Sequence, residues 1–290
     1  MSLKTISATL LVILIWGSNF TIIKGAVSEI SPLVFLAMRF TATALCFLPF
    51  VEWKTFWPNL KNFFIIGLFL GVLHQGTLFA GLAMTEAGLM SILLQSQVIM
   101  STLIGWFFFK EIIKWRTWTG IALGFLGIAV LIVPNLNGSS AVLSYVLGLA
   151  SALSIALAYL RMKSLSEVHP INFIVGINIT VLPIVWLMAF TMESNEWVSS
   201  IDFLQWNIIL PALAFQVIAL SFSHMMWQRL LSNNPISQIV PWCLLIPVVG
   251  VACGTLFLGE AITTGIIIGG GLTILGVGII TFRSINKESV

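Results

Sequence analysis

Two histidines and a set of amides sit inside runs that are otherwise too apolar to be left in water. His74 and Gln75 lie together in one run, and Gln216 and His224 lie in another. An imidazole titrates near pH ~6.5, so a histidine in a hydrated cavity can couple proton movement to another event. The same ring tied to a carbonyl or hydroxyl is only a structural pin. Ser91, Gln95 and Thr102 share one helical face, with Gln97 and Ser101 on the neighbouring face. Two amides in one run are costly against lipid, so they face a cavity or bond to another helix. Trp16 and Asn19 are three residues apart and point to one side. An amide that both donates and accepts, beside an apolar ring, suits a zwitterion. Arg39 stands about two turns into its run. It reads either as a bidentate dock for a substrate carboxylate, or as a snorkelling side chain paired with Glu29 or Glu86. Trp242 lies close to Pro241 and Pro247, whose missing N–H groups free carbonyls and let a helix bend as a gate. The candidate substrate-binding set is therefore Trp16, Asn19, Arg39, His74, Gln75, Ser91, Gln95, Gln97, Gln216, His224 and Trp242. His169 falls in a loop and adds nothing to it.

No catalytic or metal-binding set accompanies these residues. Cys46, Cys243 and Cys253 each lie in an apolar run without CxxC spacing and read as small core residues. There is no HExxH and no GxSxG, and Asp202 is the only aspartate. Neither cofactor nor metal is expected.

The elements that must position the candidates follow from composition. Of 290 residues, 59% are hydrophobic and 8% are charged. Soluble domains carry ~25% charged residues. A soluble enzyme, a disordered chain and a nucleic-acid binder are excluded on this ground; a net charge of +3 makes no basic groove. The remaining class is a polytopic membrane protein whose partner is the lipid bilayer. A span needs ~20 apolar residues, and these runs do not alternate as barrel strands do. Helical spans are predicted near 5–23, 32–51, 62–82, 87–109, 117–133, 142–161, 170–190, 205–228, 235–258 and 262–282. The first lacks a small-x-small cleavage site and reads as an uncleaved span. Of the 13 basic residues, all but Lys24 and Arg39 fall in the segments on one side of these spans. The positive-inside rule puts that side, and both termini, in the cytoplasm. The expectation is a multi-pass inner-membrane protein.

The chain also repeats itself. Phe108-Phe109-Lys110-Glu111 precedes a span with Gly120 and Gly127, and Phe257-Leu258-Gly259-Glu260 precedes one with Gly269 and Gly276; these Phe, Glu and Gly pairs are all 149 residues apart. Pro32 and Pro170 open the second and seventh spans at an offset of 138. The repeat unit is five helices. Five is odd, so the second copy enters the membrane inverted, an arrangement that places transporter sites near the midplane between halves. The fold class is an all-α membrane protein with ten transmembrane helices in two inverted five-helix repeats, residues 1–138 and 139–290. Glu111 and Glu260 then read as stop signals at the water boundary. The glycine faces of spans five and ten read as a mutual contact, not as a phosphate cradle.

These residues resemble the drug/metabolite transporter superfamily, in particular its EamA-type ten-helix exporters. The likeness is carried by Trp16-Gly17-Ser18-Asn19-Phe20, by Pro32-Leu33 with Arg39-Phe40, by Leu93-Leu94-Gln95-Ser96-Gln97, by Glu111, and by Gly120 through Gly127. It covers essentially the whole chain. The sixth span departs, with Ser154-Ile155-Ala156 where relatives often carry a Ser-Trp pair. The resemblance implies export of amino acids or related small metabolites from the bacterial cytoplasm. The expected function is a secondary exporter working by alternating access, with proton coupling and simple downhill flux both open. The competing readings are a membrane sensor or assembly protein without transport, and an intramembrane enzyme that lacks its nucleophile and base.

Overall fold

The computed structural model describes residues 2–133, 139–162, 168–193 and 205–288. Ten helices in it are long and apolar enough to cross a membrane: α1 (Leu3–Val27), α2 (Pro32–Phe50), α3 (Trp53–Met84), α4 (Ala87–Phe109), α5 (Trp115–Ile132), α6 (Ser140–Tyr159), α7 (Pro170–Met192), α8 (Trp206–Leu231), α9 (Val240–Leu258) and α10 (Thr264–Phe282). No strand occurs among the described residues. This is a multi-pass membrane protein. A bilayer leaves a backbone no partner but itself, and an uninterrupted apolar helix satisfies every internal N–H and C=O.

Two expectations need correction. The third span starts nine residues before position 62, because Trp53–Phe56 and a tight turn at Trp57–Asn59 lead into it. Lys54 and Pro58 hide this entry from hydropathy, while the exposed Trp53 and Trp57 mark it as interfacial. Cys46 is not a core residue; it is exposed on the outer wall of the bundle.

Three antiparallel pairs establish the inversion. In the first, the Glu193 carboxylate at the end of α7 accepts from Leu33 N (3.0 Å) and Val34 N (3.1 Å) at the start of α2. At the other end, Asn172 of α7 holds the backbone of Glu52, 2.9 Å from its N and 3.0 Å from its O, beyond α2. In the second, α5 and α10 cross on glycine. A Cβ on Gly276 would stand 2.5 Å from the Gly120 carbonyl, and one on Gly269 would stand 2.7 Å from the Gly127 carbonyl. Exchange of the two repeats turns one of these contacts into the other. The expected mutual contact is thus present. Close backbone approach of this kind supplies the van der Waals contact that holds helices together in lipid.

The third pair is α4 and α9, each of which ends on a left-handed residue, Lys110 (φ 56°) and Gly259 (φ 68°). The following N–H turns back onto the helix in both copies, Glu111 onto Gly105 and Glu260 onto Gly254. Both helices are also interrupted. The first segment of α4 stops at Leu93 and the helix resumes at Ser96. In α9 a 3₁₀ stretch, Val240–Leu245, runs into the α-helix at Ile246, as Pro241 and Pro247 demand. The remaining distortions pair too: α3 is a π-helix over Leu68–Gln75 and α8 over Phe215–Ala219. Such widened turns concentrate at functional sites.

The main core joins both repeats, packing Phe35 and Phe40 of α2 and Phe79 of α3 with Val181 and Val185 of α7. Leu14, Leu45, Phe107, Ile267 and Leu275 are exposed and face the acyl chains.

Candidate functional site

The distorted stretches of α3 and α8 carry His74, Gln75 and Gln216, and turn them toward the seam between repeats. Gln216 is 1% exposed. Its Nε2 donates to Asn19 Oδ1 in α1, and its own Oε1 has no partner among the described residues. About two turns further along α8, Ser223 accepts from the Trp16 indole N–H at 2.9 Å. The Trp16 ring also packs on His224 (centroids 5.4 Å) and Trp227 (5.1 Å). His224 is exposed despite this contact.

The first repeat builds the matching bond. His74 Nδ1 lies 2.7 Å from Ser151 Oγ of α6, and that hydroxyl donates to the His74 carbonyl at 3.0 Å. With the hydroxyl proton engaged there, Nδ1 is the donor in the first contact. His74 and Ser223 are separated by the same 149 residues as the Phe and Glu pairs. Each third helix thus bonds to the first helix of the other repeat.

Arg39 is 9% exposed and donates from Nη1 to Gln75 Oε1. Its guanidinium lies 5.8 Å from the Phe40 ring centroid and 6.0 Å from that of Phe79. The expected pairing with Glu29 or Glu86 does not form: among the described residues no carboxylate reaches Arg39. Asn19 with Gln216 and Trp16 with Ser223 bridge α1 and α8, and α2, which carries Arg39, packs against the same π stretch of α8.

The α4 amides stand on the α4–α9 contact. Gln95 is buried and donates to the Cys243 carbonyl at 3.4 Å, in the 3₁₀ stretch of α9. Ser91 donates to the Gly88 carbonyl at 2.7 Å and approaches that of Pro247 at 3.5 Å. Gln97 keeps a buried Oε1 without a partner among the described residues. Trp242 is half-buried beside this break, and its side chain makes no hydrogen bond among the described residues.

Reading Glu260 as a stop signal is incomplete. Its carboxylate leaves the end of α9 and accepts from Ala87 N (2.6 Å) and Gly88 N (2.9 Å), the first N–H groups of α4. Those donors have no partner within their own helix, and the helix dipole favours a negative charge there. The sequence analysis also missed Ser151, which only its bond to His74 distinguishes from the other serines of α6.

Among the described residues no three His, Cys, Asp or Glu converge as a metal site. The arrangement is a polar seam between two inverted bundles.

A family model for the EamA-like transporter family matches residues 3–133 and again 142–282. The chain belongs to the EamA-like transporter family. This EamA-like transporter is 30% identical over 270 residues to the "probable amino-acid metabolite efflux pump" of Escherichia coli, covering 91% of this chain and 90% of that one. Its similarity to the protein of the same description in Salmonella typhimurium is 29% over 273 residues, covering 91% and 90%. An uncharacterized transporter of Bacillus subtilis, YvbV, is 25% identical over 293 residues, 97% and 93% of the two chains. One solved crystal structure superposes with a TM-score of 0.63 at 14% identity, covering 97% of this chain and 98% of the other, which shows a shared fold. The family makes this EamA-like protein a transporter and not an enzyme.

Proposed function

We propose that the protein is a secondary exporter of amino acids or closely related metabolites, working by alternating access across the bacterial inner membrane. The observation that carries this reading is Arg39: a buried guanidinium in the polar seam with an amide, and among the described residues no carboxylate, as its partner. An uncompensated charge in so dry a place costs several kcal/mol, roughly. A substrate carboxylate supplies the missing countercharge through the guanidinium fork. The unpaired Gln216 Oε1, on the segment of α8 that packs against α2, is an acceptor for the substrate's ammonium. Carboxylate on Arg39 and ammonium toward Gln216 and Asn19 describe an α-amino acid. The names of the curated relatives point to the same class.

Residues 1–138 and 139–290 act as two rocking bodies. The α2–α7 pair, bonded at both ends, is the axis. The interrupted α4 and α9, with Gln95 on the Cys243 carbonyl, are the gates. With the termini cytoplasmic, the Glu86–Glu260 end is the outer face. Transport is driven by the substrate gradient or by protons through His74 or His224.

A metabolite efflux screen in overproducing cells tests this, repeated with Arg39→Gln, Asn19→Ala, Gln95→Ala and His74→Ala. The expected result is amino-acid efflux in the wild type and a loss of tenfold or more, roughly, in Arg39→Gln. Wild-type efflux in all four variants discards the site. Export from liposomes that ignores an imposed pH gradient removes the histidine coupling.

A further inference from the structure

A cavity of about 630 Å³ opens at the Glu86–Glu260 end of the bundle, lined by both repeats and not by Arg39. The volume falls in the range of small-molecule sites, ~300–1,000 Å³. Its polar groups are of both signs, and three of them are underused. Lys24 Nζ donates to the Ala83 carbonyl at 3.3 Å and makes no ion pair among the described residues. The Glu86 carboxylate accepts no hydrogen bond among them. Tyr145 is 6% exposed, yet its hydroxyl has no hydrogen-bond partner among them and lies within electrostatic reach of Glu86. Glu260, by contrast, is spoken for, with an oxygen on each of Ala87 N and Gly88 N.

We infer that this vestibule is a second binding site for an α-amino acid zwitterion, with Glu86 holding the ammonium while Lys24 and the Tyr145 hydroxyl hold the carboxylate. The inference rests on the amino-acid reading above and adds a station to it. The separation of Lys24 and Glu86 is the geometric reason: opposite charges in one cavity that do not close on each other leave room for a molecule carrying both. Tyr145 lines the same space, and its hydroxyl, which makes no hydrogen bond to the described residues, supplies a further donor. Burial and the neighbouring Glu260 carboxylate raise the Glu86 pKa, with Lys24 opposing, so a bound ammonium relieves a strained anion. Recognition is of the two charged ends only. The apolar remainder of the lining, Leu89, Leu131 and Ile266, accepts a range of side chains. On the outer face this is the last stop of an exported molecule, and outside amino acid re-entering it slows further export.

The test titrates the full chain in nanodiscs with three probes: L-leucine, leucinamide, which lacks the carboxylate, and 4-methylpentanoate, which lacks the ammonium. Arg39→Gln is used to silence the central site. The expected result is that leucine still binds Arg39→Gln, and that adding Glu86→Gln weakens it tenfold or more while leaving 4-methylpentanoate unchanged. Adding Lys24→Gln or Tyr145→Phe weakens leucine and leaves leucinamide unchanged. A general loss of structure would weaken all three probes together. The site is overturned if no leucine binding survives Arg39→Gln, or if Glu86→Gln and Lys24→Gln leave that binding as it was. Binding at the vestibule without leucine efflux by the wild type sinks the export reading and leaves the site standing; efflux with an inert vestibule does the reverse.

Discussion

Gln216 gives an amide hydrogen to Asn19 across the seam between the repeats while its own carbonyl oxygen, fully buried, finds no partner among the described residues. A buried acceptor left without a donor costs about 1–3 kcal/mol. A pair with only a structural role would close both ends. The half-open amide fits a place where a transient donor arrives.

The asymmetry separates stability from transport. Asn19→Leu strands the whole Gln216 amide and is expected to destabilise the protein by about 1–3 kcal/mol. The double variant Asn19→Leu with Gln216→Leu removes both polar groups and is expected to recover most of that loss. It remains without efflux. Thermal unfolding in detergent and an efflux assay on the same preparations check the two halves. A double variant that exports normally removes the pair from the site.

The α5–α10 crossing makes a sharper claim on stability. Gly276→Ala places a methyl 2.5 Å from both the Gly120 carbonyl oxygen and the Gly124 nitrogen, so the helices must part. The expected cost is about 1–3 kcal/mol, the usual scale of overpacking. Gly271, in the same helix, has nothing within 4 Å of an added Cβ, so Gly271→Ala is the control and is expected to be neutral or slightly stabilising. Comparison of the two melting temperatures decides it; equal values mean that the crossing is looser than described.

The span count, the inversion and the glycine contact were legible because lipid is a strict solvent. It demands long apolar runs, and the Phe, Glu and Gly pairs at one offset survive as short identical marks. The polar residues of these runs stand out for a related reason: an amide, imidazole or guanidinium inside such a run needs a partner or a hydrated cavity. Partners were not legible. Arg39 could reach several groups, and its choice of Gln75 over Glu29 or Glu86 depends on how α2 and α3 rotate against each other. The π stretches in α3 and α8 leave no trace in hydropathy, since they shift the helix by a fraction of a turn without changing its residues. Glu260 was visible as half of a repeated motif. Its role needs the start of α4 beside it, and that contact spans 173 residues.

That contact makes the next prediction. Glu260→Ala removes the acceptor for Ala87 N and Gly88 N, and capping losses of this kind cost about 0.5–2 kcal/mol. Faster amide hydrogen exchange is expected at Ala87 and Gly88, with little change around the Gly120–Gly276 crossing. Glu260→Gln keeps one acceptor oxygen and should fall between. Because this cap ties the two repeats at the Glu86–Glu260 end, its loss should also favour opening there, read as faster labelling of a cysteine placed at Ser28 on the cavity wall. Unchanged exchange at Ala87 would mean that the carboxylate contributes nothing to the cap.

The vestibule carries a pH dependence whose sign follows from Glu86. The groups that face it are Lys24 from α1, Tyr145 from α6 and Glu260 beyond α9. Its pKa is raised, first by burial and then by Glu260, so it takes up a proton at a higher pH than an ordinary carboxylate. Protonation removes the anion that holds a substrate ammonium. Leucine affinity in the Arg39→Gln protein is therefore expected to be full above the raised pKa and to fall as pH drops through it, within about one unit on either side. The same shift has the opposite sign for folding. A carboxyl harder to ionise in the native state costs stability at high pH, and that cost fades as the group protonates. Affinity and stability thus move in opposite directions on acidification. In Glu86→Gln the affinity should be low and flat across the same range. A wild-type profile that is also flat would assign the ammonium to some other acceptor.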